Sequence, residues 1–201
     1  MGIAVSGRFI LASASPRRIE LLKLMGLAFE VMPSGIDEDE RRGETPREHA
    51  LRLSEEKVLA VARIHPEAWV LGADTIVIID REVLGKPASP PEAREMLERL
   101  SGREHEVFTG FSIAGRGKGI QVSQVVESTV LFREIAPDEM AWYTASEEPY
   151  DKAGAYAVQG KGAFFIREIR GSYTNVMGLP LCEVVDALRS LSAIAFSGEG
   201  S

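Results

Sequence analysis

The chain has 201 residues, of which 45% are apolar and 26% charged, with a formal net charge of −7 and a pI of about 5.1. That length and apolar content suffice for a full core, and the acidic balance excludes broad electrostatic binding to nucleic acid or to an anionic membrane, so any anion site must be local. One cysteine, Cys182, excludes an intramolecular disulfide framework and a cysteine metal cluster.

The N-terminal stretch Met1 to Arg8 has no charged segment leading into a long apolar run. No apolar run approaches the ~18 residues of a membrane span, so the expected address is the cytosol. Phe9-Ile10-Leu11 reads as a buried strand. Ser15-Pro16 then reads as an N-cap with proline at the first helical position, Ile19, Leu22 and Met25 recur at helical spacing, and Gly26 is the stop. Phe29 to Met32 begins a second extended piece, followed by Pro33-Ser34-Gly35 and the acidic run Asp37-Glu38-Asp39-Glu40. Thr45-Pro46-Arg47-Glu48 is a capping box that opens a helix to about Ile64.

Trp69 to Asp80, "WVLGADTIVIID", reads as a strand interrupted at Gly72-Ala73-Asp74-Thr75. Ser89-Pro90-Pro91-Glu92 starts another helix, ending near Leu100 before Gly102. His105 to Ala114 and Gln121 to Phe132 form a β-hairpin around a glycine-rich turn at 115–119. Pro137 to Ala145 is predicted as a short helix, Ala163 to Ile169 as a strand and Leu181 to Leu191 as a closing helix. Helices alternate with strands while one hairpin is antiparallel, so the expected fold is α/β around a mixed sheet. No internal repeat or long linker is evident, which predicts a single domain over residues 1–196 and a frayed tail over Ser197 to Ser201.

Two arginines, Arg17 and Arg18, stand in the first turn of a helix, where exposed N–H groups already make a positive site. With Ser13 and Ser15 they suit a phosphate; the plainer reading is a serine cap and arginines paired with surface carboxylates. Asp74 puts a carboxylate among residues expected to be buried, where it needs a partner, a metal ion or a turn's backbone amides. Glu38 belongs to an acidic loop whose ordinary meaning is a solvated face. Lys86, in "VLGKPAS", is held extended by the following proline.

"DKAGAYAVQGKGAFF" carries Gly154, Gly160 and Gly162 around Gln159, whose amide can pair with a nucleobase edge, although glycines more often simply make turns. The histidines His49, His65 and His105 lack metal-ligand spacing, and neither a Walker loop, a dinucleotide fingerprint nor a serine-hydrolase elbow is present. A cationic helix start, separated carboxylates and a lysine suit a polyphosphate with a divalent ion.

The ordered set "LASASPRR", "GADTIV", "GKP" and "YDKAGAYAVQG" resembles the Maf family of nucleotide pyrophosphatases. The likeness runs from about Phe9 to Leu188, through "FEVMPSGIDE", "EHEVFTG" and "GSYTNVMGLPL". The resemblance implies a fold similar to the inosine triphosphatases, with an elongated mixed sheet and two lobes around a central cleft. It implies hydrolysis of a nucleoside triphosphate by water at the α-phosphorus, giving the monophosphate and pyrophosphate, with Mg²⁺ or Mn²⁺ required.

By the same resemblance Arg17, Arg18, Ser13 and the helix N-terminus hold the triphosphate, and Lys57 and Lys86 match lysines near the phosphates. Asp74 matches the catalytic proton acceptor and Glu38 a metal-binding carboxylate; the ion is assigned to both, one or the other of the two orients the attacking water, and Asp74, Glu38 and Lys86 are counted as the catalytic groups. Arg17, Thr75 and Gln159 match the branch acting on dTTP and UTP, with modified pyrimidine triphosphates as further substrates. The alternatives are 7-methyl-GTP or another purine nucleotide, or a nucleotide-sensing inhibitor of septum formation that acts on a cell-division partner by binding. A homodimer is the oligomer that the resemblance implies.

Overall fold

A run such as "WVLGADTIVII" is mostly β-branched and apolar, as a strand covered on both faces requires. In the computed structural model, which describes residues 2–197, it forms one unbroken strand. The elements in chain order are β1 (Gly2–Val5), β2 (Phe9–Leu11), α1 (Pro16–Leu24), β3 (Glu30–Val31), α2 (Pro46–Ala62), β4 (Trp69–Ile79), β5 (Glu82–Leu84), α3 (Pro90–Leu100), β6 (Glu104–Gly115), β7 (Ile120–Phe132) and α4 (Pro137–Thr144). Three short 3₁₀ turns then lead to β8 (Ile166–Arg170), α5 (Tyr173–Met177), α6 (Leu181–Ser190) and β9 (Ile194–Ser197).

The main sheet has hydrogen-bonded order β3-β2-β4-β6-β7-β8, with β5 added to β4. β2 runs parallel to β3 and β4, whereas β4/β5 and β7/β8 are antiparallel, so the sheet is mixed as expected. Only four residues join β6 to its neighbour β7, too few for a parallel crossover, and the predicted hairpin is confirmed.

The chain forms two compact units. Among the described residues the first comprises 2–74, 109–125 and 178–197, the second 75–108 and 126–177. In the first, Ile10, Ala12, Val58, Val61, Val70 and Ala114 form an apolar cluster beneath α2. Two glycines set how closely that helix lies. A Cβ on Gly72 would stand 2.9 Å from the Ser54 carbonyl oxygen and 2.7 Å from Val58 Cγ2, and one on Gly110 would stand 2.3 Å from the Ala50 carbonyl oxygen. The missing side chains bring the α2 backbone down onto β4 and β6.

The second unit is built around Val77, Leu84, Leu97, Phe132, Tyr143 and Phe165. Helix α3 contributes Ala93, Met96, Leu97 and Leu100, a spacing that lines one helical face. Burying a leucine such as Leu97 completely contributes about 1.5–3 kcal/mol.

Three expectations need correction. Gly72 to Thr75 do not interrupt β4; Asp74 finds its partner on α2, so the strand has no need to turn there. The strand expected from Ala163 begins only at Ile166, because residues 161–165 form a 3₁₀ turn whose first amides bond to a side chain and not to a neighbouring strand. Ser197 closes β9 opposite Gly2 of β1, a pairing that the sequence reading missed at both termini; the rest of the expected tail, 198–201, lies outside the described residues.

Candidate active site

The capping box of α2 is formed as predicted: the Glu48 amide donates to Thr45 Oγ1 (3.3 Å) and the Thr45 amide to the Glu48 carboxylate (2.9 Å). This fixes the helix start, and three turns on Lys57 lies on the face that Gly72 brings against β4. There the Lys57 ammonium reaches Asp74 Oδ1 at 2.7 Å and Glu38 Oε1 at 2.7 Å. Lys57 and Asp74 are buried, while Glu38 is about half exposed in its loop. Two carboxylates from different elements therefore converge on one cation.

The Glu38 loop has no regular structure, and side chains of α2 strap it down. Arg52 donates to the Asp39 carbonyl oxygen (3.0 Å) and grips Glu44 through Nε (2.6 Å) and Nη2 (2.9 Å), while Arg41 reaches back to Glu56 (2.6 Å). His49 Nδ1 adds a contact to Glu44 at 3.1 Å. Hydrogen bonds from Arg52 outweigh partial burial and hold the Glu44 carboxyl down at about 2.

Arg18 is the other buried cation of this unit. Its Nε donates to the Gly178 carbonyl oxygen (2.7 Å) and its Nη1 to Ser13 Oγ (3.2 Å). Burial disfavours its charge; the field of Asp74 favours it, that of Arg17 opposes it, and that of Glu38 favours it, with a net downward shift. Ser13 Oγ also accepts from the Ser15 amide at 3.2 Å. Ser15 has the extended backbone of an N-cap, yet its hydroxyl makes no capping bond, and the first turn of α1 contains no acidic residue. The expected serine cap is thus present in backbone only, and the first turn of α1 places Arg17 and Arg18 at the positive end of the helix. Arg17 is half-buried.

Ser13, Arg17, Arg18, Glu38, Lys57 and Asp74 all belong to the first unit. Thr75, Lys86 and Gln159 belong to the second. Thr75 follows Asp74 directly in β4 and is half-buried; Lys86 is exposed between Gly85 and the buried Pro87. The Gly85 carbonyl oxygen accepts from the Gly154 amide at 3.1 Å, which ties the Lys86 loop to the "DKAGAY" segment. Gly154 has φ +69° and would place a Cβ 2.9 Å from Val77, so only glycine suits this position. Gln159 is exposed in a turn.

The sequence matches the family described as Maf-like protein over residues 8–191. The chain belongs to that family. A Maf relative from Syntrophus aciditrophicus (strain SB), named dTTP/UTP pyrophosphatase, is 63% identical across 96% of this chain and 94% of its own. One from Geobacter sp. (strain M21), with the same name, is 50% identical across 92% and 96%. Among solved structures, the Staphylococcus aureus Ham1 protein is 19% identical with a TM-score of 0.42, over 65% of this chain and 72% of its own.

In this Maf chain the residues outside the predicted set are Glu44, Arg52, Tyr143 and Glu148, together with Gly72 and Gly110. The glycines carried a legible signal, since a glycine inside an apolar strand marks close backbone approach. The charged residues carried none, because the backbone groups and side chains that Arg52 and Glu148 hold, Asp39 and Glu44 for the one and Lys161 and Gly162 for the other, lie 8 to 14 positions away with no repeating pattern between them.

Proposed function

We propose that the protein is a nucleoside triphosphate pyrophosphatase that hydrolyses dTTP and UTP, and modified pyrimidine triphosphates, to the monophosphate and pyrophosphate, which keeps them out of nucleic acid. The observation that carries this reading is the near-full-length likeness to relatives named dTTP/UTP pyrophosphatase, at 63% and 50% identity.

The geometry suits the chemistry. Arg17, Arg18 and the uncapped start of α1 bind the phosphates; Arg18, pinned to Gly178 and Ser13, presents a fixed guanidinium plane. Ser13 Oγ accepts two hydrogen bonds, so its proton is left for a phosphate oxygen. Asp74 orients the water that attacks the α-phosphorus and takes its proton, and Lys57, 2.7 Å away, holds that carboxylate in place. Lys86 supports the charge that develops on the departing pyrophosphate. Thr75 and Gln159 select the base, the amide of Gln159 offering one donor and one acceptor.

A divalent cation fits this donor set. Glu38 and Asp74 supply hard oxygen ligands that already converge on one cation, and among the described residues no group of three or more His, Cys, Asp or Glu surrounds them. Two carboxylates plus substrate phosphates and water is the pattern in which Mg²⁺ is commonly held. When bound, Mg²⁺ or Mn²⁺ would neutralise phosphate charge and polarise the α-phosphoryl group.

Among the described residues no helix is long and apolar enough to cross a membrane. We assign the protein to the cytoplasm as a homodimer, an assembly that light scattering would test.

The deciding experiment is pyrophosphate release from dTTP, UTP, CTP, dCTP, GTP and 7-methyl-GTP with Mg²⁺, with Mn²⁺ and with a chelator. Metal-dependent cleavage led by dTTP and UTP is expected. Equal or better use of a purine nucleotide overturns the pyrimidine assignment, and no cleavage of any nucleotide overturns the enzyme reading in favour of a binding protein.

A further inference from the structure

Gln159 is exposed in its turn, and an exposed side chain has no reason of its own to hold its amide still. Here the turn is hung from two side chains. The Lys161 amide donates to Glu148 Oε2 (2.8 Å), the Gly162 amide to Glu148 Oε1 (3.0 Å), and the Ala157 amide to Tyr143 Oη (3.3 Å). Tyr143 Oη in turn donates to Glu148 Oε1 at 2.9 Å. One connected pair therefore grips the backbone two residues before Gln159 and two and three residues after it.

Both members are anchored. Tyr143 is fully buried on α4 and stands edge-on to Phe165, with ring centroids 5.1 Å apart. Glu148 opens a 3₁₀ turn with the buried Pro149, and its own carbonyl oxygen accepts from Lys152 Nζ at 2.8 Å. The carboxylate lies so close to the turn that a Cβ on Gly160 would stand 2.4 Å from both of its oxygens, so the glycine after Gln159 is demanded by the bracket. Partial burial pushes the Glu148 carboxyl up, but the Gly162 and Lys161 amides and the Tyr143 hydroxyl outweigh it and leave the group below its ordinary range. Bonds from amides to an ionised carboxylate are the stronger kind, and this turn donates two.

The geometry points to Glu148 and Tyr143 as positioning residues for Gln159, which set nucleobase discrimination by holding the turn in one conformation. The inference rests on the proposed role of Gln159 in selecting the base. A loosened amide still meets the correct base but also accommodates the wrong one, so discrimination falls without loss of any group that touches the phosphates.

The test compares kcat/KM for dTTP and dCTP, which share one triphosphate, in the full-length protein and in Tyr143→Phe, Glu148→Gln and Gln159→Ala, each checked for its thermal midpoint. Tyr143→Phe removes one hydroxyl from an otherwise unchanged ring, so a folded variant is at hand even if Glu148→Gln is not. The expected result is a fall in the dTTP to dCTP ratio of about tenfold for Tyr143→Phe, the worth of one hydrogen bond. In a Gln159→Ala background the same change should leave the ratio where Gln159→Ala had put it. An unchanged ratio in folded Tyr143→Phe and Glu148→Gln, with both nucleotides losing equally, overturns the inference and leaves a plain structural brace. A wild-type ratio in Gln159→Ala itself overturns it at its base, because the base-selection reading of Gln159 then fails first.

Discussion

The ammonium of Lys57 and the carboxylate of Asp74 meet at 2.7 Å with both side chains buried, on a helix and a strand that a glycine brings together. Removing one partner of such a pair strands the other, whereas an isosteric neutral group keeps the shape. Asp74→Asn is expected to lower turnover by about a hundred- to ten-thousandfold, the range for losing a general base. The fold should persist, because Lys57 retains Glu38 as a partner. Pyrophosphate release beside a thermal melt checks this, and near-normal turnover in the variant would remove Asp74 from the mechanism. The same variant separates hydrolysis from any effect on cell division: if division arrest depends on catalysis, overexpressed Asp74→Asn will not cause it.

Gly72→Ala tests the approach of α2 to β4. The new methyl would meet the Ser54 carbonyl oxygen at 2.9 Å and Val58 Cγ2 at 2.7 Å; the side chain can rotate but the helix backbone has to shift. Overpacking of this kind costs about 1–3 kcal/mol, and the shift carries Lys57 away from Asp74. Chemical denaturation should show the loss of stability, and kcat should fall together with it. Full activity at wild-type stability would mean that the helix has slack the structure does not display.

Arg52→Ala should loosen the segment that presents Glu38, since it deletes the bonds to Asp39 and Glu44. The concentration of Mg²⁺ giving half-maximal activity is expected to rise several-fold, while the protein stays folded. Acid should act on the same strap. The folded carboxyl of Glu44 sits at about 2, below the usual carboxylate value, so its contribution is complete above pH 4.5 and is lost as the pH falls toward 2. Circular dichroism would confirm the fold of the variant, and an unchanged Mg²⁺ requirement would show that the Glu38 loop needs no strap.

His105 gives a second acid limb of different origin. Its ring is buried against Phe132 and Tyr156, with Nε2 2.8 Å from the Tyr156 hydroxyl, and burial lowers its folded value from 6.5 to about 3. The unfolded chain therefore binds a proton that the folded protein refuses between those values. Stability is complete above pH 6.5 and falls by about 1.4 kcal/mol per pH unit below it. Denaturation curves from pH 7 to pH 4 should flatten in His105→Gln relative to the parent, and parallel curves would show that another group controls the acid limb.

Much of the fold was legible because its signals are local. The capping box at Thr45 and Glu48, the Ser-Pro start of α3, the apolar face of Ala93, Met96, Leu97 and Leu100 and the glycine-rich turn of the β6–β7 hairpin are each written within a few residues. The pairing of β1 with β9 was not legible, because it joins segments some 190 positions apart and neither carries a pattern alone. The strand expected at Ala163 failed for a related reason: residues 161–165 are apolar enough for a strand, but Glu148 claims the first amides.

The candidate site divides along the same line. Residue types and their order within "LASASPRR", "GADTIV" and "YDKAGAYAVQG" were enough to determine the family and to single out Asp74, Arg17 and Gln159 as candidates, because a family motif is written in particular side chains at particular places. Only the tertiary structure decided that Lys57 joins Asp74 to Glu38, that Arg18 is pinned by Gly178, and that Glu148 and Tyr143 brace the Gln159 turn. Each of those facts is a distance between residues remote in sequence. Such distances come from how closely helices and strands pack, and packing is a property of the whole core that no short segment contains.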